Sequence, residues 1–176
     1  MRWSGLLIDR VAIHVCVVLV FALACAEPQA PDEAQAARVA LDDGRLEDAR
    51  LHAERALERA HTPEVRADLL LVLGEARARL GHADADAPLQ AVLDAPDSTA
   101  EQRAEAYRQR ARARLGRGDT AEALAELARG RAVLPSGSPR ALDLDLTEAA
   151  VLWQQGEAPR AEALWLRTRA AAEAAG

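Results

Sequence analysis

The sequence predicts an all-α protein built from a repeated helical hairpin, and three observations carry that prediction. Half of the residues are hydrophobic, mostly Ala and Leu, while aromatics make up only 3%. Ala, Leu, Arg and Glu are the strongest helix formers. Glycines stand at positions 44, 81, 118 and 156, spaced by 37, 37 and 38 residues. Each lies between two amphipathic stretches, where a helix running into a turn favours glycine. Helix-start residues recur with the same spacing.

Eight helices follow from this punctuation: 32–42, 46–60, 63–80, 84–95, 98–116, 119–134, 139–155 and 157–175. "TP" at 62–63 and "SP" at 138–139 each put a capping residue before a proline in the first helical turn. "STAE" at 98–101 reads as a capping box, with Ser98 accepting from the backbone and Glu101 reaching back. Asp119 of "DTAE" is a further cap. Pro88 is compatible with the fourth helix only if that helix starts near Asp84, which leaves the proline in its first turn. A single Ala/Leu hairpin cannot bury its apolar face alone. Stacked neighbours supply a continuous core, and small residues let the helices approach closely.

The charge balance narrows the function. All 22 basic residues are Arg, and the net charge is −6. An acidic chain without a basic face is not a general nucleic-acid binder, so no nucleic-acid partner is expected.

The first 24 residues stand outside the repeat. Arg2 and Arg10 flank a short polar start, and "VAIHVCVVLVFALA" (11–24) is a nearly unbroken apolar run. It is shorter than the ~20 residues of a membrane-spanning helix and fits the apolar core of a signal peptide. It ends at Cys25, and "AEPQAPD" (26–32) follows as an extended tether. Cys16 is the only other cysteine and lies inside the apolar run, so no disulfide is expected in the mature chain. A catalytic thiol at this place would lack a folded surrounding to lower its pKa.

"ALAC" (22–25) resembles the cleavage box of bacterial lipoprotein signal peptides, with Ala22 where Leu is usual. The resemblance implies that residues 1–24 are removed and that Cys25 is acylated, becoming a membrane anchor followed by the tether 25–32. Ala26 in place of Asp implies the outer membrane, with the protein facing the periplasm. Ordinary secretion is the alternative: "ACA" (24–26) also fits small-x-small cleavage, which releases a soluble protein starting at Glu27. An uncleaved N-terminal anchor is the third reading.

Residues 33–175 resemble the tetratricopeptide repeat. Gly44, Ala49, Ala56 and Leu57 match its pattern in the first unit, Gly118, Ala123 and Pro135 in the third, and Gly156, Ala161 and Trp165 in the fourth. Gly74 and Tyr107 match positions of the first helix of a unit. Asp86 and Pro88 depart from the pattern in the second. The resemblance implies a right-handed helical-hairpin solenoid of about four units, with a groove lined by the first helix of each pair. It further implies a non-enzymatic adaptor or assembly factor that holds another envelope protein or peptide.

Candidate contact residues follow from that register. Arg108 and Arg112 in "RAEAYRQRARARLGR" (103–117) share a helix face turned toward the groove, and Glu105 is placed to pair with Arg108. A solvated helix face is the plainer reading of this run and the favoured one. Arg38, Asp68, Glu75, Gln109 and Gln154 line the same groove. The register makes Trp165 a packing residue between paired helices. Trp153 is the better contact candidate, although burial in the core is favoured for it too. The Ala-rich last helix offers an end face for a partner or a second copy.

Catalytic chemistry has little to work with. The three histidines after the apolar run, His52, His61 and His82, lack metal-ligand spacing, and no phosphate loop or other cofactor motif is present. "GHADAD" (81–86) gathers His82, Asp84 and Asp86, and a metal-dependent hydrolase using them is the reading from another class. The plainer reading is a solvated turn with Asp84 as a helix cap.

Overall fold

The computed structural model describes residues 32–175. Cys25 and the apolar run 11–24 lie outside the described residues, and so do the predictions placed on them. The described residues form eight helices and no strand: α1 (Glu33–Asp42), α2 (Leu46–Leu57), α3 (Pro63–Leu80), α4 (Asp86–Asp94), α5 (Ala100–Gly116), α6 (Thr120–Val133), α7 (Arg140–Gln154) and α8 (Ala158–Ala175). The all-α expectation holds, and each predicted helix is found with ends shifted by three residues or fewer.

Four identical turns divide the chain. In the first, the Gly44 amide bonds the Leu41 carbonyl at 3.1 Å and the Arg45 amide bonds that of Ala40 at 2.8 Å. The same paired bonds recur at Gly81 and His82, at Gly118 and Asp119, and at Gly156 and Glu157. This is the left-handed helix ending that satisfies orphan carbonyls, and φ values of +75° to +83° at the four glycines explain why the residue has no Cβ.

Helix starts agree less closely. Thr62 caps α3 as expected, accepting from the Val65 amide at 3.4 Å. The capping box of α5 sits one residue later than "STAE" predicts. Thr99 Oγ1 accepts from the Gln102 amide at 3.1 Å, and the Thr99 amide donates to Gln102 Oε1 at 3.0 Å. Ser98 is buried with no hydrogen-bond partner for its hydroxyl. Thr99→Ala is therefore expected to lower stability by about 1 kcal/mol, whereas Ser98→Ala changes it by less than about 0.5 kcal/mol. Urea unfolding of the two variants measures the contrast. Asp119 makes no capping bond. Asp84 is not the cap of α4 either. That helix begins at Asp86, which still leaves Pro88 within its first turn.

Every helix packs on its neighbours in the chain, and α1–α3, α3–α5 and α5–α7 also pack on one another. No two even-numbered helices are in contact among the described residues. The core accordingly runs through successive triplets. Ala37, Ala53, Val72 and Leu73 join α1, α2 and α3. Leu71, Leu89, Val92 and Ala106 join α3, α4 and α5. Ala111, Ala123, Leu127, Leu144 and Val151 join α5, α6 and α7. Two glycines set close approaches. A Cβ at Gly74 would stand 2.4 Å from Leu89 Cδ2, and one at Gly130 would meet Leu144 and Tyr107 at 3.2 and 3.3 Å.

Both tryptophans contradict the core reading. Trp165 is 52% exposed and Trp153 67% exposed. Trp165 lies on a face of α8 against which no described helix packs, so the residue predicted to fill a helix–helix seam has no seam to fill.

Candidate functional site

The odd-numbered helices share one face, and a ladder of polar contacts crosses it. Arg38 of α1 bonds Asp68 of α3 at 3.1 Å. Asp68 also accepts from Gln102 of α5 at 2.8 Å. Glu75 of α3 accepts from Arg112 of α5 at 3.2 Å. Arg140 of α7 stands 3.9 Å from Glu105 of α5. Arg38, Asp68, Glu75 and Arg112 are thus brought to one face, as predicted, but they are bonded to each other across neighbouring helices.

Arg108 has a different fate from the solvated or partner-facing cation foreseen. Its side chain is only 20% exposed and forks onto Glu105 through Nε at 2.8 Å and Nη2 at 2.6 Å. Gln109 adds a third donor to the same carboxylate at 3.1 Å. Burial pushes the Glu105 pKa up, but the bonds and charge of Arg108, with help from Gln109 and Arg140, more than offset that and hold it below its ordinary value. Burial likewise opposes the charge of Arg108, and Glu105 more than restores it.

Exposed positive charge gathers one helix turn further on. A cleft of 640 Å³ opens between the C-terminal halves of α3 and α5, lined among others by Glu75, Arg79, His82, Gln109, Arg112 and Arg117. Three guanidinium groups therefore face one carboxylate. Arg112 and Arg79 both turn to Glu75 Oε1, at 3.2 and 3.9 Å. Gln109 is buried at the wall, and its amide oxygen has no hydrogen-bond partner among the described residues. A second cleft of 430 Å³, lined by Arg108, Arg112, Leu146 and Gln154 among others, continues the face between α5 and α7. Trp153 lines neither of these two clefts.

The contributions of Arg79 and Arg117 escaped the sequence reading. They come from two helices separated by more than thirty residues, and only the α3–α5 contact joins them. The capacity of the cleft is electrostatic: it offers cations to an extended anionic segment and presents no nucleophile–base pair.

The His82, Asp84 and Asp86 group is not assembled. Asp84 accepts from Arg77 at 2.8 Å, Asp86 pairs with Arg110 at 3.0 Å, and His82 stands 4.0 Å from Asp84. The two carboxylates serve different helices, and no cluster of metal-ligating residues occurs among the described residues. No described helix is long and apolar enough to cross a membrane. Comparison with protein-family models, curated proteins and solved structures gives no match for this chain.

Proposed function

We propose that the chain is a non-enzymatic adaptor or assembly factor that holds an acidic segment of another protein on the face of its odd-numbered helices. The observation that carries this reading is the cleft between α3 and α5, where Arg79, Arg112 and Arg117 outnumber Glu75. Guanidinium groups bind carboxylates in a planar, two-bond geometry, and at a half-exposed site such pairs give selectivity more than raw affinity.

The finer architecture belongs to the same proposal. Four hairpins similar to the tetratricopeptide repeat would stack in a right-handed superhelix, with α1, α3, α5 and α7 lining the inner side. Four equal turns and the exclusive contact among odd helices support it. The anchor is proposed from "ALAC" alone: Cys25 would carry acyl chains and hold the protein in the envelope, on the outer membrane facing the periplasm. Mass spectrometry of the mature N-terminus decides this part, since an acylated Cys25 supports it and a free Glu27 replaces it with a soluble periplasmic or secreted module.

The binding test uses two labelled peptides of equal length, one rich in Asp and Glu and one with Asn and Gln in their place. The acidic peptide is expected to bind preferentially, with affinity falling as salt rises. Arg79→Glu with Arg112→Glu should weaken it by about tenfold or more. Equal binding of the two peptides, or binding untouched by the double substitution, would sink the reading.

A further inference from the structure

The internal repeat shows what the far end of the molecule lacks. α3 seats on α1 and α2, α5 on α3 and α4, and α7 on α5 and α6. No described helix seats on α7 and α8. The spacing of 38 residues between Gly118 and Gly156 gives the register in which the last hairpin can be compared with the one before it.

Leu127 corresponds to Trp165. Leu127 is fully buried, clustered with Leu144 and Val151 of α7, whereas Trp165 is 52% exposed. Arg131 corresponds to Arg169. Arg131 binds two carboxylates one turn apart on α7, Asp145 at 2.6 Å and Glu148 at 2.5 Å. Arg169 is 59% exposed and reaches only along its own helix, to Glu173 at 3.6 Å. Glu105 corresponds to Asp143. Glu105 stands beside Arg140 of the incoming α7, whereas Asp143 is 44% exposed and pairs with Arg140 within its own helix. Between α7 and α8 lies a trough of 760 Å³, with Leu142, Leu146, Trp165 and Ala172 along it and Asp143 and Arg169 beside them.

We propose that the α7–α8 trough receives an amphipathic helix of a partner protein, seated as α7 is seated on α5 and α6. The occupant's chemistry is read from α7: an apolar stripe to cover Trp165 and Leu146, and on its flank two carboxylates one turn apart for Arg169. A cation near its start would meet Asp143. The assignment is independent of the α3–α5 cleft, which lies on other helices.

A second copy of the chain fits poorly. Its only odd helix without a preceding hairpin among the described residues is α1, and there the register places Asp32 where α7 has the core residue Leu144. Glu33 stands at the Asp145 position but is bonded to His52 at 2.5 Å, and Ala36 replaces Glu148. The second carboxylate and the apolar stripe are both missing.

The probe is the α7 segment itself, residues 139–154, made as a fluorescein-labelled peptide and added to the full chain. A staple across positions 146 and 150, both on the exposed side of α7, holds it helical. Saturable binding is expected, at about 10–100 μM for one short helix. Arg169→Glu should weaken it by about tenfold or more, and a peptide carrying Asp145→Arg with Glu148→Arg should bind that variant better than it binds the original chain. Arg112→Glu, in the other cleft, should leave it unchanged. Three results would overturn the proposal. One is no saturation up to about 1 mM. Another is equal binding to Arg169→Glu, the mark of a peptide displacing α7 itself. The third is a dimer of the unmodified chain, seen in sedimentation, that Arg169→Glu dissolves.

Discussion

Leu89→Ala is expected to lower the unfolding free energy by about 3 kcal/mol. Leu89 is 1% exposed and lies among Ala67, Leu71, Val92 and Ala106, where α3, α4 and α5 meet. Two of these neighbours are alanines, whose methyl groups cannot swing into the vacated space. The loss should therefore fall in the body of the range for buried leucines and not at its low end. Gly74 makes the prediction sharper. Its missing Cβ would stand 2.7 Å from Leu89 Cγ, inside van der Waals contact. Gly74→Ala alone should be destabilising, because about 1–3 kcal/mol of overpacking outweighs the gain of up to about 1 kcal/mol in helix propensity. In the Leu89→Ala background the added methyl occupies empty space and only the propensity gain remains, so the sign reverses. Urea midpoints of the four proteins close the cycle. If Gly74→Ala destabilised both backgrounds equally, α3 and α4 would be held apart by something other than this pair.

Gly74 also marks how far the sequence can be read. It matches a glycine of the repeat pattern, and the structure supplies the reason: Leu89 fills the space of its side chain. Gly130 plays the same part between α6, Leu144 and Tyr107, yet it falls at no position that the pattern singles out. The helix ends were legible because glycine turns and proline starts act locally. The start of α5 slipped by one residue because "STAEQ" offers two overlapping boxes, Ser98 with Glu101 and Thr99 with Gln102. Local chemistry does not choose between them, and burial of Ser98 does.

The tryptophans failed for a different reason. Whether a repeat position is buried depends on the next repeat being present, and Trp165 occupies a core position on a hairpin with no successor among the described residues. The candidate site was legible in part. Arg112 and Glu75 could be placed on one face from helical spacing. That Glu75 would itself hold Arg112, and that Arg79 and Arg117 would join them, depends on which helices pack side by side, and no local spacing encodes that.

Glu105→Ala is expected to destabilise the fold by about 3 kcal/mol. The glutamate side chain is 13% exposed, and its carboxylate carries both arms of Arg108 together with Gln109. Its removal leaves a guanidinium that is 20% exposed without its main partner, and an uncompensated buried charge is more damaging than the loss of the bonds themselves. Replacing both residues, Glu105→Leu with Arg108→Leu, should recover most of the loss, since the desolvation of two charges disappears with them. The repeat itself gives a precedent: Leu146 stands one period after Arg108. The pair also predicts a pH dependence. The folded pKa of Glu105 lies below the ordinary glutamate value of 4.5. Its contribution is then fully present above pH 4.5 and is lost as the pH falls through the lower folded value, because the unfolded chain takes up the proton first. Glu54, held down by Arg77 and Arg50 against the effect of burial, acts in the same direction and is untouched by the double substitution. Urea midpoints measured from neutral pH down to about pH 3 should therefore fall for both proteins, and less steeply for the double-leucine variant. Identical slopes would mean that Glu105 titrates as an ordinary surface carboxylate and that the bidentate pair contributes nothing to the stability of the α5–α7 face.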